Sequence, residues 1–237
     1  PLPLYYTLRA AFDPTYTPLT IPTRELWMTT YQSQMNGTFL ETLRTNLWEG
    51  QLASLAWAWD HGRVFQTAAL FLLGMLAGRR RLFLQEALPI WNKICAGAII
   101  AFFPLYGINN LLPQFIENRS ILVPLSLIIS SLANFAFMLM LVSGVLFMYY
   151  RTRMQSLLRK IIPYGKMSLT NYITQSIIGS FLFYHWGLGL HNHLTITASC
   201  LTGIVLFFLQ WKCCDWWMKH HDHGPLEYLW KRATWLR

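Results

Sequence analysis

Five long apolar runs dictate what this chain can fold into. They lie at about residues 60–78, 94–112, 121–150, 168–185 and 194–211. A hydrocarbon core about 30 Å thick is crossed by about 20 apolar residues in a helix. No soluble core of this size could hide five such runs. The chain is 54% hydrophobic and only 12% charged, against roughly 25% charged in soluble domains. A β-barrel would need alternating segments of about 10 residues, and the runs do not alternate. The reading is an all-α, polytopic helical membrane protein whose first partner is the lipid bilayer. The net charge of +9 does not point to nucleic acid, because the cations cluster at the ends of apolar runs instead of forming a surface stripe.

Charge bias orients the runs. Arg79, Arg80, Arg81 and Lys93 fall in one loop, and Arg151, Arg153, Arg159, Lys160 and Lys166 in a second. Lys212, Lys219, Lys231, Arg232 and Arg237 fall in the tail. These are fourteen of the nineteen Lys and Arg, so this side is expected to be cytoplasmic, with residues 1–60 outside. The chain opens on Pro1 without a signal-peptide pattern. It therefore reads as a fragment, with the N-terminal helices of the same protein among its expected partners.

Each run has its own constraint. The first is short, so Arg63 snorkels or the bilayer thins. Its Gly74 and Gly78 form a GxxxG pair that admits a close neighbouring backbone. Pro104 should kink the second. The third is too long for one upright helix, and it either tilts or begins as an interfacial turn near Pro124. Its Ser130, Ser131, Ala133 and Asn134 suggest a close helix contact. The short loop HWGLGLHNH should make the last two runs an antiparallel hairpin.

Residues 1–60 read as a separate extracytoplasmic or interfacial segment. Pro1, Pro3, Pro14, Pro18 and Pro22 predict extended or turn structure at its start. One helix is expected over about 24–34. A capping box from Thr38 to Glu41 opens another. Trp27, Trp48, Trp57 and Trp59 fit either an interfacial surface or a small extramembrane core.

The fourth run begins with an unusual density of amides and hydroxyls. At 100° per residue, Ser168, Asn171, Tyr172, Gln175 and Gly179 fall within about 100° of arc. Thr170 and Thr174 lie on a flank, and Ser176 adds a further hydroxyl. Buried polar groups in hydrocarbon need partners. The stripe is either a packing seam between helices or the lining of a substrate cavity.

No other cluster specifies a chemistry. Cys95 and Cys200 lie inside apolar runs, and Cys213 and Cys214 are adjacent, which is poor geometry for a disulfide. His220, His221, Asp222 and His223 are consecutive and do not converge as ligands, so no metal site is assigned. His185, His191 and His193 sit at the outer ends of the last two runs. Walker, HExxH, GxSxG and dinucleotide patterns are absent from the sequence. No acid or histidine stands at mid-depth in a run, and ion-coupled transporters often carry one.

Three motifs carry a resemblance. Gly165-Lys166-Met167-Ser168-Leu169-Thr170-Asn171-Tyr172 followed by Gln175-Ser176 resembles the G-[RK]-M-[AS]-L-T-N-Y-x-x-Q-S signature of the YeiB-like family. Gly224-Pro225-Leu226-Glu227-Tyr228-Leu229-Trp230-Lys231 resembles its terminal G-P-L-E-W-L-W-R, departing at Tyr228 and Lys231. Leu73-Gly74-Met75 followed by Gly78-Arg79-Arg80 resembles its L-G-M-x-x-G-R-R. In family order, they cover about residues 62–237.

The resemblance implies a bacterial inner-membrane protein of a family named for a domain of unknown function. It also implies kinship with multi-span acyltransferases, whose candidate catalytic histidine would precede this fragment. The implied activity is acyl transfer to a sugar or lipid-linked acceptor, and the implied partner an acyl or lipid-linked substrate. A small-molecule or lipid transporter, and a structural half supporting an active site elsewhere, stand beside it. The catalytic residues and any cofactor are unknown from the sequence. In the terminal motif, Pro225 can open a helix after Gly224, with Glu227 in its first turn. The motif then reads as a structural cap, or as a gate in which Glu227 pairs with an arginine such as Arg79.

Overall fold

The computed structural model describes residues 2–13, 23–151 and 154–235. In these, the chain is all-α. The helices are α1 (Leu2–Phe12), α2 (Thr23–Asn36), α3 (Phe39–Thr45), α4 (Gln51–Asp60) and α5 (Arg63–Arg79). Then come α6 (Leu88–Phe115), α7 (Arg119–Arg151), α8 (Gln155–Lys166), α9 (Ser168–Phe183), α10 (Ile196–Met218) and α11 (Pro225–Trp235). A π-helical stretch, Asn46–Gly50, joins α3 to α4. All five predicted runs are helical. Gln85–Phe115, Arg119–Arg151 and Ile196–Met218 are long and apolar enough to cross a membrane. α5 has 17 residues and α9 has 16, which at 1.5 Å per residue is about 25 Å each.

Large apolar side chains point outward, including Ile196 at 93% exposure, Phe115 at 80% and Phe71 at 76%. The buried set is dominated by small residues such as Ala53, Ala98, Ala133 and Ala136. This is the order a lipid solvent favours, since hydrocarbon does not drive leucine or phenylalanine inward and small residues let helix backbones approach.

The described residues form two compact units, Pro1–Leu26 with Gly50–Arg153, and Trp27–Glu49 with Met154–Arg237.

The first unit is built on the antiparallel pair α6–α7. Ser126 Oγ donates to Asn109 Oδ1 at 2.8 Å, and the Phe102 and Phe137 rings sit 5.5 Å apart. At the other end, Tyr150 OH donates to the Phe83 carbonyl at 3.0 Å. The predicted small patch serves this contact through Ala133, 4% exposed. α7 is one continuous helix through Pro124, with no interfacial turn before it. Pro124 falls in its second turn, still close to the end where helices tolerate proline best. α6 likewise continues through Pro104 and Pro113.

α1 packs on α7. It replaces the extended segment expected there, because Pro3 occupies its first turn, where the missing amide costs nothing. Thr7 Oγ1 donates back to the Pro3 carbonyl at 2.9 Å. Pro1, Pro14, Pro18 and Pro22 lie outside the described residues. α4 turns into α5 at Gly62, with φ +65°. The predicted close approach at Gly74 and Gly78 is not made within the described chain: a Cβ at either would meet nothing within 4 Å.

The second unit holds α3 and α8–α11. The Thr38 capping box is present, with Thr38 N donating to Glu41 Oε2 at 2.8 Å and Glu41 N to Thr38 Oγ1 at 3.4 Å. Hydrogen bonds from the Thr38 backbone and hydroxyl hold the Glu41 carboxyl below its ordinary value. The loop after α9 is pinned to this region. His185 N donates to the Gln34 carbonyl at 3.0 Å, and Trp186 meets Phe39 edge-on at 4.9 Å.

Candidate functional site

The polar groups at the start of α9 find their partners on α8, α10 and α11. α9 begins after Met167, a residue with no side-chain cap to offer. Its free amides are served from another helix. Glu227, in the first turn of α11, accepts from Thr170 N at 3.0 Å and from Thr170 Oγ1 at 2.5 Å. The Thr170 hydroxyl in turn accepts from Leu226 N at 3.2 Å. Each helix start therefore caps the other, and one carboxylate faces the positive ends of two helix dipoles. Burial pushes the Glu227 carboxyl up, but the Thr170 hydroxyl, its amide and other backbone donors outweigh it, so the net shift is downward. Gly224 is required by this closeness. A Cβ there would collide with Glu227 Oε2 and stand 3.1 Å from Met167 Cγ.

The two motifs, far apart in sequence, thus meet at one place. Within this unit the Glu227 carboxylate takes its donors from Thr170.

The next residue, Asn171, is 5% exposed. Its Nδ2 donates to the Tyr164 carbonyl at 3.0 Å, and its Oδ1 accepts from Cys214 Sγ at 3.2 Å. Gln210, 7% exposed, donates to Thr174 Oγ1 at 3.0 Å. Gln175 Nε2 donates to Tyr164 OH at 2.8 Å. Burial pushes the Tyr164 phenol up, with Cys214 adding to the rise against the Gln175 hydrogen bond. The pairs Asn171–Cys214 and Thr174–Gln210 run in opposite chain directions, so α9 and α10 are antiparallel here. Among the described residues, no buried side-chain nitrogen or oxygen of this seam lacks a partner.

The predicted stripe therefore splits. Asn171 and Gln175 enter the seam, together with Thr170 and Thr174 from the presumed flank. Tyr172 is 71% exposed, and Ser176 is exposed and bonds only its own helix at Tyr172 O. Ser168 is exposed and lies outside the seam. Of the terminal motif, Gly224, Pro225 and Glu227 take part, whereas Trp230 is 69% exposed. Thr170, Asn171, Thr174 and Gln175 span about 140° of the helix, and the centre of that arc is set by where α10 and α11 dock. Tyr164, Gln210 and Cys214 were not singled out as members. A lone glutamine inside an apolar run was the available signal for Gln210.

Among the described residues, no group of three His, Cys, Asp or Glu converges for a metal. His191 Nδ1 lies 2.7 Å from the Phe183 carbonyl. Outside the seam, Glu49 Oε2 in the π-helical stretch is buried without a hydrogen bond. π-Helical turns recur at functional positions.

The family described as "Protein of unknown function (DUF418)" matches residues 77–237. The uncharacterized protein YxaH of Bacillus subtilis (strain 168) is 36% identical over 95 residues, which are 40% of this chain and 24% of that protein. The uncharacterized protein YeiB of Escherichia coli (strain K12) is 35% identical over 74 residues, 30% of this chain and 18% of its own length. An uncharacterized 39.9 kDa protein in the amylase 3′ region of Bacillus acidopullulyticus is 26% identical over 212 residues, 81% of this chain and 59% of its own. The chain thus spans less than two thirds of each of these relatives. No solved structure matches. The chain belongs to the DUF418 family.

Proposed function

We propose that this DUF418 chain is the scaffold half of a larger inner-membrane protein, and that the larger protein transfers an acyl group onto a sugar or lipid-linked acceptor. The observation that supports a scaffold role is the closed seam. Its hydroxyls, amides and carboxylate are spent on one another, which leaves no nucleophile or base there for substrate. α5 buries none of its residues, which suits a helix that receives further helices from the same protein. In this reading residues 1–60 are outside, the five runs span, and the start of α9 faces the cytoplasm.

A second reading, transport, draws on a groove of about 300 Å³ on the α6–α7 pair. It is lined by Phe102, Tyr106, Asn109, Ser130 and Asn134, an apolar wall with a few amides.

The test is a deletion strain examined by lipid and glycan profiling and by uptake assays. Loss of an acyl modification with normal uptake supports acyl transfer, and the reverse supports transport. Complementation with Glu49→Gln separates scaffold from active half. The scaffold reading expects restoration to parental levels. A folded Glu49→Gln protein that fails to complement would overturn it.

A further inference from the structure

The helices at one end of the second unit show a pattern that the seam does not use. Residues 154–237 contain the cations Arg159, Lys160, Lys166, Lys212, Lys219, Lys231, Arg232 and Arg237, and the acids Asp215, Asp222 and Glu227. Asp215 is committed to Lys219 at 3.0 Å, and Glu227 to Thr170. The loop 184–195, at the opposite end of α9 and α10, holds no Lys, Arg, Asp or Glu. Free positive charge is thus concentrated where α8 and α11 lie.

α11 is pinned at that level. It begins seven residues after Met218, where α10 ends, and its first turn is tied to α9 through Thr170. Beyond that turn it divides into two faces at 100° per residue. Leu229, Trp230 and Ala233 share one arc, and Leu229 and Trp230 are 59% and 69% exposed. Tyr228, Lys231, Arg232 and Trp235 share the other. With His223 they line a cavity of about 570 Å³. Its wall is held in place: Lys231 Nζ lies 3.2 Å from His223 Nε2, and Trp217 Nε1 donates to the His223 carbonyl at 3.0 Å. Among the described residues, neither Lys231 nor Arg232 pairs with a carboxylate.

We propose that α11 lies in the headgroup layer and that His223, Tyr228, Lys231, Arg232 and Trp235 form a binding site for the phosphate of an anionic phospholipid. An apolar face on one side and an aromatic-cation face on the other suit the bilayer interface. Arginine offers paired donors to a phosphate, and lysine adds a point charge. The lipid phosphate sits within a few ångströms of the ends of the spans. The chain crosses the membrane, so this ligand is supplied by its own surroundings. The site is independent of the acyl-transfer reading and carries no catalytic role.

The test uses the purified full chain in non-ionic detergent micelles carrying fluorescent phosphatidylglycerol. Unlabelled phosphatidylglycerol, phosphatidylcholine and inorganic phosphate serve as competitors. Phosphatidylglycerol is expected to displace the probe at least about 10-fold better than phosphatidylcholine, with binding weakening as salt rises. Each cation should contribute about 5-fold, so K231Q/R232Q should weaken binding about 25-fold. Both positions are exposed, and R232Q alone is read should the pair lower folded yield. R159Q/K160Q on α8, which does not line the cavity, should change binding less than 2-fold. Equal loss in the two double variants would mean diffuse attraction and overturn the site. Equal competition by phosphatidylcholine, or displacement by millimolar inorganic phosphate, would overturn the anionic lipid as ligand.

Discussion

Asn171 and Tyr172 are neighbours in sequence and opposites in environment. Asn171 is buried and bonds both Tyr164 and Cys214, whereas Tyr172 is mostly exposed. Asn171→Leu should therefore strand the Tyr164 carbonyl and the Cys214 thiol, at about 1–3 kcal/mol for each unsatisfied group. Tyr172→Leu should fall within about 0.5 kcal/mol of the parent. Folded yield and melting temperature in detergent distinguish the two, and equal behaviour would mean the seam is misassigned. Glu227 adds a pH test. Its carboxyl is held below its ordinary value, so its stabilisation is complete above the unfolded carboxylate range and fades as pH falls through the folded value. Glu227→Gln should cost about 1 kcal/mol at pH 7, and the gap to the parent should close on acidification below about pH 4. A constant gap would mean that charge is not what the caps use.

At the scale of elements, local signals were legible and docking was not. The Thr38 capping box can be read from four consecutive residues because its donor and acceptor lie within one turn. Pro3 misled, since proline forbids a helix interior but suits a helix start. The partners of Asn171 lie 39 and 43 residues away on α10, and no periodicity in α9 reveals where α10 will touch it. The polar content of the site was thus readable, and its rotation was not. Gly224→Ala should lose about what Glu227→Ala loses, and the double variant should lose little more, because both remove the same cap. Additive losses in a thermal-unfolding cycle would separate the glycine from the carboxylate. Gly74→Leu should leave this chain's melting temperature unchanged, since nothing lies within 4 Å of Gly74. On the scaffold proposal, the same change made in the proposed longer protein should reduce co-purification with the helices it adds.

At the scale of the whole molecule, the apolar runs announced the solvent before any site was visible, and the outward leucines and phenylalanines agree with it. The charge asymmetry predicts sidedness. A fluorescent-protein fusion after Arg237 should glow, and a phosphatase inserted in the loop 184–195 should be active only if that loop is outside. The opposite pair of results would invert the proposed orientation. The double cap also has a consequence for synthesis. Glu227 lies 57 residues after Thr170, which at about 5–20 residues per second is about 3–11 s of translation. During that interval the start of α9 is already made, and the carboxylate that closes it does not yet exist. A stretch synthesised later therefore completes a helix begun earlier. A message truncated before codon 227 should yield a chain whose α9 start stays open to proteases, however well the earlier helices have inserted.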